Sequence, residues 1–209
     1  MRAGYRVCWC VVNALFALLF TRKTRGREHV PRAGGFIVAC NHISFWDPPL
    51  VGASLPREVH FLAKEELFAN GAFRWLISSL NAIPIRRGLS DPGGVKRALD
   101  VVSRGAGLVM FPEGGRVKEG GLKPALPGVG LLSVKAGVPV VPAYVSGSDK
   151  IKKAILRLHR VELTFGEPYF PPAETEGTRA RELYRGVGAE VMRRIAELKS
   201  KAGQKEDAL

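Results

Sequence analysis

The stretch FIVACNHISFWDPP, residues 36–49, runs from an apolar pentapeptide into a histidine, an aspartate and two prolines. Phe36 to Cys40 are apolar throughout, the pattern of a strand buried within a sheet. Pro48 and Pro49 each push the preceding residue toward extended backbone. The strand therefore ends near Cys40, a loop follows, and a helix opens with Asp47 as N-cap and Pro48 in the first helical position. His42 and Asp47 would lie about 140° apart around a regular helix, so they meet only across a bend. A capping carboxylate keeps a second oxygen free for an imidazole N–H. These residues alone leave open a plainer alternative, in which Asp47 only caps and His42 is an ordinary loop histidine.

Outward from this stretch, short runs rich in β-branched or aromatic residues lie between turn formers. They are 59–63 (VHFLA), 81–85 (NAIPI), 107–111 (GLVMF), 138–145 (VPVVPAYV) and 160–165 (RVELTF). Helical patterns separate them at 72–80, 93–104 and 127–136, the last stopping at Gly137 as C-cap. Such alternation implies an α/β fold, a single domain with a mostly parallel central sheet flanked by helices. A long helix over 178–200 closes it, with Leu183, Val187, Val191, Ile195 and Leu198 on its packed face. The chain then divides into an N-terminal membrane-associating helix with its basic flank (1–30), the domain (31–200) and a polar, frayed tail (201–209).

A chain of 209 residues suits one domain with a real core. Its 32 Lys and Arg against 19 Asp and Glu leave a net charge of +13, which favours a polyanionic partner. Nucleic acid, an anionic membrane surface and phosphorylated substrates all qualify, but no helix-turn-helix, zinc or RNP signature supports nucleic acid. Cys8, Cys10 and Cys40 form neither a disulfide framework nor a CxxC pair, and no histidine has metal-ligand spacing to them. Reduced thiols in a cytoplasmic compartment follow.

Residues 7–20 (VCWCVVNALFALLF) are apolar apart from Asn13, with Arg2 and Arg6 before them and Arg22, Lys23, Arg25 and Arg27 after. This run is shorter than the roughly 20 residues that span a bilayer, and no small-residue cleavage site follows it. It reads as a helix dipping into one leaflet with its basic flank at the headgroups, a single short span being the alternative. KIKKAILRLHR, residues 150–160, sets Ile151, Ala154, Ile155 and Leu158 at helical spacing among basic residues. That is either a solvated face or a contact for a membrane surface or an acidic protein.

Two further constellations sit at strand ends. FPEGGR, residues 111–116, follows GLVMF at the position where open α/β sheets bind ligands. Gly114 and Gly115 permit close approach or positive φ, and Arg116 offers a planar fork for phosphate or carboxylate. AIPIRRG, residues 82–88, delivers Arg86 and Arg87 into a glycine turn. Taken singly, adjacent arginines are surface charge and Glu-Gly-Gly is a turn. Taken in order, NHISFWD, NAIPIRR, FPEGGR and VPVVPAY resemble the four motif blocks of the glycerolipid acyltransferase family, which includes the 1-acylglycerol-3-phosphate acyltransferases. The resemblance covers about residues 36–145. The family's H-x4-D falls on His42 and Asp47, its second-block arginine on Arg87, its F-P-E-G-[TS]-R on Phe111 to Arg116, and its proline-bearing fourth block on Val138 to Pro142. Gly115 stands where the family usually has Thr or Ser, Arg86 where it often has Asp, and Asn81 where it often has Gly.

The resemblance implies that His42 is a general base for an acceptor hydroxyl attacking a thioester, with Asp47 orienting the ring and stabilising the imidazolium. The substrate's hydroxyl replaces the serine of a serine triad, and no G-x-S-x-G elbow is present to form an acyl-enzyme. Cys40 reads as part of the buried strand. Arg87 and Arg116, with Arg86 as helper, would bind the acceptor's phosphate. Glu113 and Gly114 would shape the acceptor site, Glu113 either accepting from the glycerol or an arginine or serving the structure alone. The implied substrates are lysophosphatidic acid and an acyl-carrier-protein or CoA thioester, with phosphatidic acid as product and neither cofactor nor metal. Glycerol-3-phosphate or another lysophospholipid is the alternative acceptor. The implied location is the cytoplasmic face of the cell membrane, monotopic or peripheral. A non-catalytic membrane-binding module would account for the N-terminus but not for His42, Asp47 and Glu113 together.

Overall fold

The apolar runs become strands nearly residue for residue. In the computed structural model, which describes residues 3–86, 91–117, 121–155, 160–175 and 179–206, they build a seven-stranded sheet. Its strands are β1 (Arg22–Arg25), β2 (Phe36–Cys40), β3 (Val59–Lys64), β4 (Ala82–Ile85), β5 (Gly107–Met110), β6 (Val140–Ser146) and β7 (Val161–Phe165). The order is β1-β7-β6-β2-β5-β3-β4, and every neighbouring pair is parallel except β6 with β7. The helices are α1 (Ala3–Leu19), α2 (Asp47–Ser54), α3 (Gly71–Ser79), α4 (Pro92–Ser103), α5 (Gly128–Ala136), α6 (Ile151–Ile155) and α7 (Ala180–Glu206).

All five residues of β2 are buried because both faces of the sheet are covered. Phe36, Val38 and Cys40 enter the apolar layer shared with Phe16 of α1 and Leu50 and Val51 of α2. Ile37 and Ala39 enter the opposite layer with Ala98 of α4, Leu132 of α5 and Val191 and Ile195 of α7. Each fully buried large side chain contributes about 1.5–3 kcal/mol, and a strand with no wet face has no position for a polar residue. Ala39 pairs with Met110 and Cys40 with Ala143, so β2, β5 and β6 deliver their following loops to one edge of the sheet.

Two segments depart from the sequence reading. RKTR, read as a basic flank at the headgroups, is the edge strand β1, pairing with β7 from Arg22 opposite Val161 to Arg25 opposite Thr164. Backbone hydrogen bonds hold such a strand, and charged side chains on an edge discourage further pairing, so an apolar pattern is not required. The tail read as frayed from residue 201 is helical through Glu206. Lys, Ala, Gln and Glu are good helix formers, and polarity alone does not stop a helix.

α1 has two characters. Tyr5, Phe16 and the following Phe20 are buried against the domain, while Val7, Val11, Leu15 and Leu18 form an exposed stripe. Asn13, the polar interruption, accepts from Arg22 Nη2 at 2.7 Å and donates to Trp9 O, tying the helix to β1. No described helix is long and apolar enough to cross a membrane. Of the basic segment 150–160, Ile151–Ile155 is helical with Ala154 buried and Lys152 and Lys153 exposed, while 156–159 lie outside the described residues.

Candidate active site

Asn41, the first residue past β2, fixes where the chain leaves the sheet. Its buried amide donates to Val145 O (3.0 Å) and accepts from Val145 N–H (2.7 Å), clamping it to the end of β6. The loop then bends back so that His42 Nδ1 lies 2.8 Å from Asp47 Oδ2. A carboxylate only accepts, so Nδ1 carries the proton and Nε2 is the nitrogen left for chemistry. The imidazole stacks on Phe111, centroids 4.2 Å apart, and its side chain is 16% exposed.

Asp47 is 0% exposed. Its Oδ2 also accepts the N–H groups of Ile43 and Ser44, at 2.7 Å each, and Oδ1 accepts the Ser148 hydroxyl at 2.5 Å. A carboxylate buried this deeply is tolerable because donors surround it. The expected capping role is corrected: Asp47 is the first residue of α2, Trp46 holds the cap position, and no side chain caps the helix. Pro49 has no N–H to cap, and the N–H of Leu50 already bonds Trp46 O at 3.0 Å. The carboxylate therefore turns back to the loop, where three N–H groups converge on it.

Glu113 comes from the loop after β5 and is buried at the same edge. Its Oε1 accepts the backbone N–H of His42 (3.2 Å) and its Oε2 that of Lys123 (3.1 Å). Burial pushes its carboxyl up from the ordinary range, opposed by the N–H groups of Lys123 and His42. Val117 N–H donates to His42 O at 2.7 Å, so the FPEGGR loop is laced to the histidine loop on both sides of the peptide. Gly114 has φ of 69°, a left-handed backbone that favours glycine, and a Cβ there would also push aside the exposed Leu126 side chain, 2.3 Å from its Cδ1.

The arginines are distributed differently. Arg116 is exposed, its guanidinium 3.5 Å above the ring of Phe45 in the histidine loop. Arg86 is exposed, with Nε 2.6 Å from Glu65 Oε2 and its backbone N–H on Asp91. Arg87 lies outside the described residues. Asn81, which departs from the glycine of the motif, has φ of 62° and bonds Glu58 and Val59 O through Nδ2. Asn is the side chain that best tolerates this left-handed backbone after glycine. Burial, then the negative charges of Asp47 and Glu113, push the Cys40 thiol well above its ordinary range, so no thiolate nucleophile is available beside the histidine.

Asn41 and Ser148 were not legible as site residues. Asn41 acts through a partner 104 residues away and Ser148 through one 101 away, and neither has a local pattern.

The assembled edge sets a histidine against a buried carboxylate, with an arginine on the adjoining loop. The Acyltransferase family model matches residues 21–146, from just before β1 to the end of β6. This chain belongs to the acyltransferase family. The 1-acyl-sn-glycerol-3-phosphate acyltransferase of Bacillus subtilis is 26% identical to it over 201 residues, 96% of this chain and 99% of that one. A lyso-ornithine lipid O-acyltransferase of Pseudomonas aeruginosa is 32% identical over 139 residues, 66% of this acyltransferase and 52% of that protein. The crystal structure of the 1-acyl-sn-glycerophosphate (LPA) acyltransferase from Thermotoga maritima matches with a TM-score of 0.69 at 25% identity, covering 95% of this chain and 84% of that one. With that coverage, the likeness takes in helices outside the family match.

Proposed function

We propose that this acyltransferase moves a fatty acyl group from an acyl-carrier-protein or CoA thioester to the free hydroxyl of 1-acylglycerol-3-phosphate, forming phosphatidic acid. The observation that carries the reading is His42 held through Nδ1 by a fully buried Asp47, in a chain aligned end to end with a relative of that name. As the acceptor oxygen attacks the thioester carbonyl, its proton passes to His42 Nε2 and Asp47 stabilises the imidazolium. The new C–O bond forms, the C–S bond breaks, and the imidazolium protonates the departing thiolate. No acyl-enzyme and no cofactor enters.

A product assay with purified protein tests this across lysophosphatidic acid, glycerol-3-phosphate and lyso-ornithine lipid, each with both thioester donors. Lysophosphatidic acid should show the highest kcat/KM. The second reading, an acceptor with another headgroup, draws on the Pseudomonas relative and on Gly115 in place of a hydroxyl residue; a preference for such an acceptor would establish it. Arg116, with Arg87, is assigned to the acceptor's phosphate. Charge-assisted bonds are worth about 1.5–3 kcal/mol, so Arg116→Ala should raise the acceptor KM by about 10- to 100-fold and leave the donor KM unchanged. An unaltered acceptor KM would take Arg116 out of the site.

A lipid acceptor places the reactive edge at a membrane surface, which we assign to the cytoplasmic face of the cell membrane. Support comes from the exposed stripe of α1, from Phe45 and Trp46 in the histidine loop, and from α3, which buries no residue and exposes Phe73, Trp75 and Leu76. Phe16, on the docked face of α1, packs edge-on to Trp46, centroids 6.3 Å apart, so the helix that carries the stripe adjoins the histidine loop. Removing residues 1–21 would open the core around Phe16 and Phe20, so the exposed stripe is the place to intervene. Leu15→Glu with Leu18→Glu should lose binding to anionic vesicles while keeping activity on detergent-dispersed acceptor. High salt alone should not release the wild type, because inserted apolar side chains at about 1.5–3 kcal/mol each outweigh about 1 kcal/mol per basic residue. Unchanged vesicle binding by the double variant would move the attachment to α3 or α6.

A further inference from the structure

Asp47 holds His42 from one oxygen and is itself held from the other. Oδ2 takes three donors: His42 Nδ1–H and the N–H groups of Ile43 and Ser44. Among the described residues, the donor to Oδ1 is the hydroxyl of Ser148, 2.5 Å away, from a residue that is itself 0% exposed. We propose that Ser148 is a positioning residue for acyl transfer, fixing the plane of the Asp47 carboxylate and through it the direction in which His42 presents Nε2.

The geometry gives the reason. A carboxylate bonded at one oxygen can swing about that point, and the Nδ1–H bond would swing with it. Fixing the second oxygen removes that freedom, and a hydroxyl donor to an ionised acceptor makes a short, strong bond. Both partners are fully buried, so bulk solvent does not compete for this bond. The donor is also well anchored. Gly147, with φ of 75°, turns the chain out of β6 so that Ser148 faces α2. Two residues before that turn, the N–H and C=O of Val145 both bond the side-chain amide of Asn41. The end of β6 therefore grips the histidine loop on either side of His42, through Asn41 before it and Asp47 after it. When the acceptor's proton reaches Nε2, the new positive charge develops against a carboxylate that need not reorient, the condition under which such stabilisation is largest.

This inference rests on His42 acting as the base. Ser148 touches neither substrate, so its loss should appear in kcat with both KM values unchanged. Ser148→Ala is expected to lower kcat about tenfold, about 1.4 kcal/mol in the barrier, and Ser148→Thr, which keeps the hydroxyl, should restore most of it. Proton NMR supplies a readout that packing alone would not move. The far-downfield resonance of the His42–Asp47 hydrogen bond, identified by its absence in His42→Ala, should shift or broaden in Ser148→Ala and persist in Ser148→Thr. If the alanine variant does not fold, Ser148→Cys decides, with a near-isosteric but weaker donor expected to fall below Ser148→Thr in kcat. Wild-type kcat in folded Ser148→Ala would overturn the proposal. So would equal losses in the threonine and alanine variants with an unmoved resonance, or equal kcat in the cysteine and threonine variants. Full activity in His42→Ala would instead overturn the assignment of the base, whatever Ser148 does.

Discussion

His42→Ala should lose acyl transfer by about 10²- to 10⁴-fold, the usual contribution of a positioned general base, while remaining folded. The fold survives because His42 supplies only one of the donors to Asp47. Without it, Oδ2 still accepts from Ile43 and Ser44, and Oδ1 from Ser148. The backbone links from His42 N–H to Glu113 and from Val117 N–H to His42 O do not involve the imidazole. Thermal unfolding and product formation on the same preparation check both halves of the expectation. Near-normal kcat in the folded variant would mean that another group takes the hydroxyl proton.

Asp47→Ala should differ by losing stability as well as turnover. The substitution strands the N–H groups of Ile43 and Ser44 and the hydroxyl of Ser148, all paired to this one carboxylate. Each buried polar group left unsatisfied costs about 1–3 kcal/mol, and a domain's whole stability is about 5–15 kcal/mol. A large fall in Tm is expected beside a loss of kcat comparable to that of His42→Ala. Asp47→Asn, which keeps the volume but not the charge, should recover more of the Tm than of the kcat. If Asp47→Ala unfolded at the wild-type temperature, the hydrogen-bond cluster around the carboxylate would not be holding the loop.

Both variants act at one bend, and that bend was only half legible in the amino-acid chain. The H-x4-D spacing and two prolines were enough to bring His42 and Asp47 to a strand-to-helix turn, because a strand end, a loop and a proline-initiated helix are local matters of backbone preference. They were not enough to orient the carboxylate. Local propensity favoured a forward cap, and the outcome went the other way because Pro49 offers no N–H while the folded-back loop offers those of Ile43 and Ser44. Glu113 shows the same limit: its residue type left a ligand contact and a structural role both open, and only the fold shows its oxygens accepting the backbone N–H groups of His42 and Lys123.

By itself the sequence determined the α/β class, six of the strands, the buried β2 and the placing of His42 and Asp47 at one bend. Continuous apolar runs and short-range spacing encode these within a few residues of one another. The tertiary structure alone decided the rest. It recruited the charged RKTR segment as an edge strand, because β7 supplied a backbone partner that no side-chain pattern announces. It divided α1 into a docked face and an exposed stripe, because Phe16 and Phe20 found an apolar layer and Val7, Val11, Leu15 and Leu18 did not. It also carried Ser148 across 101 residues of chain to the second oxygen of Asp47. The desolvation that makes such a bond necessary arises only when the sheet has brought β2 and β6 side by side.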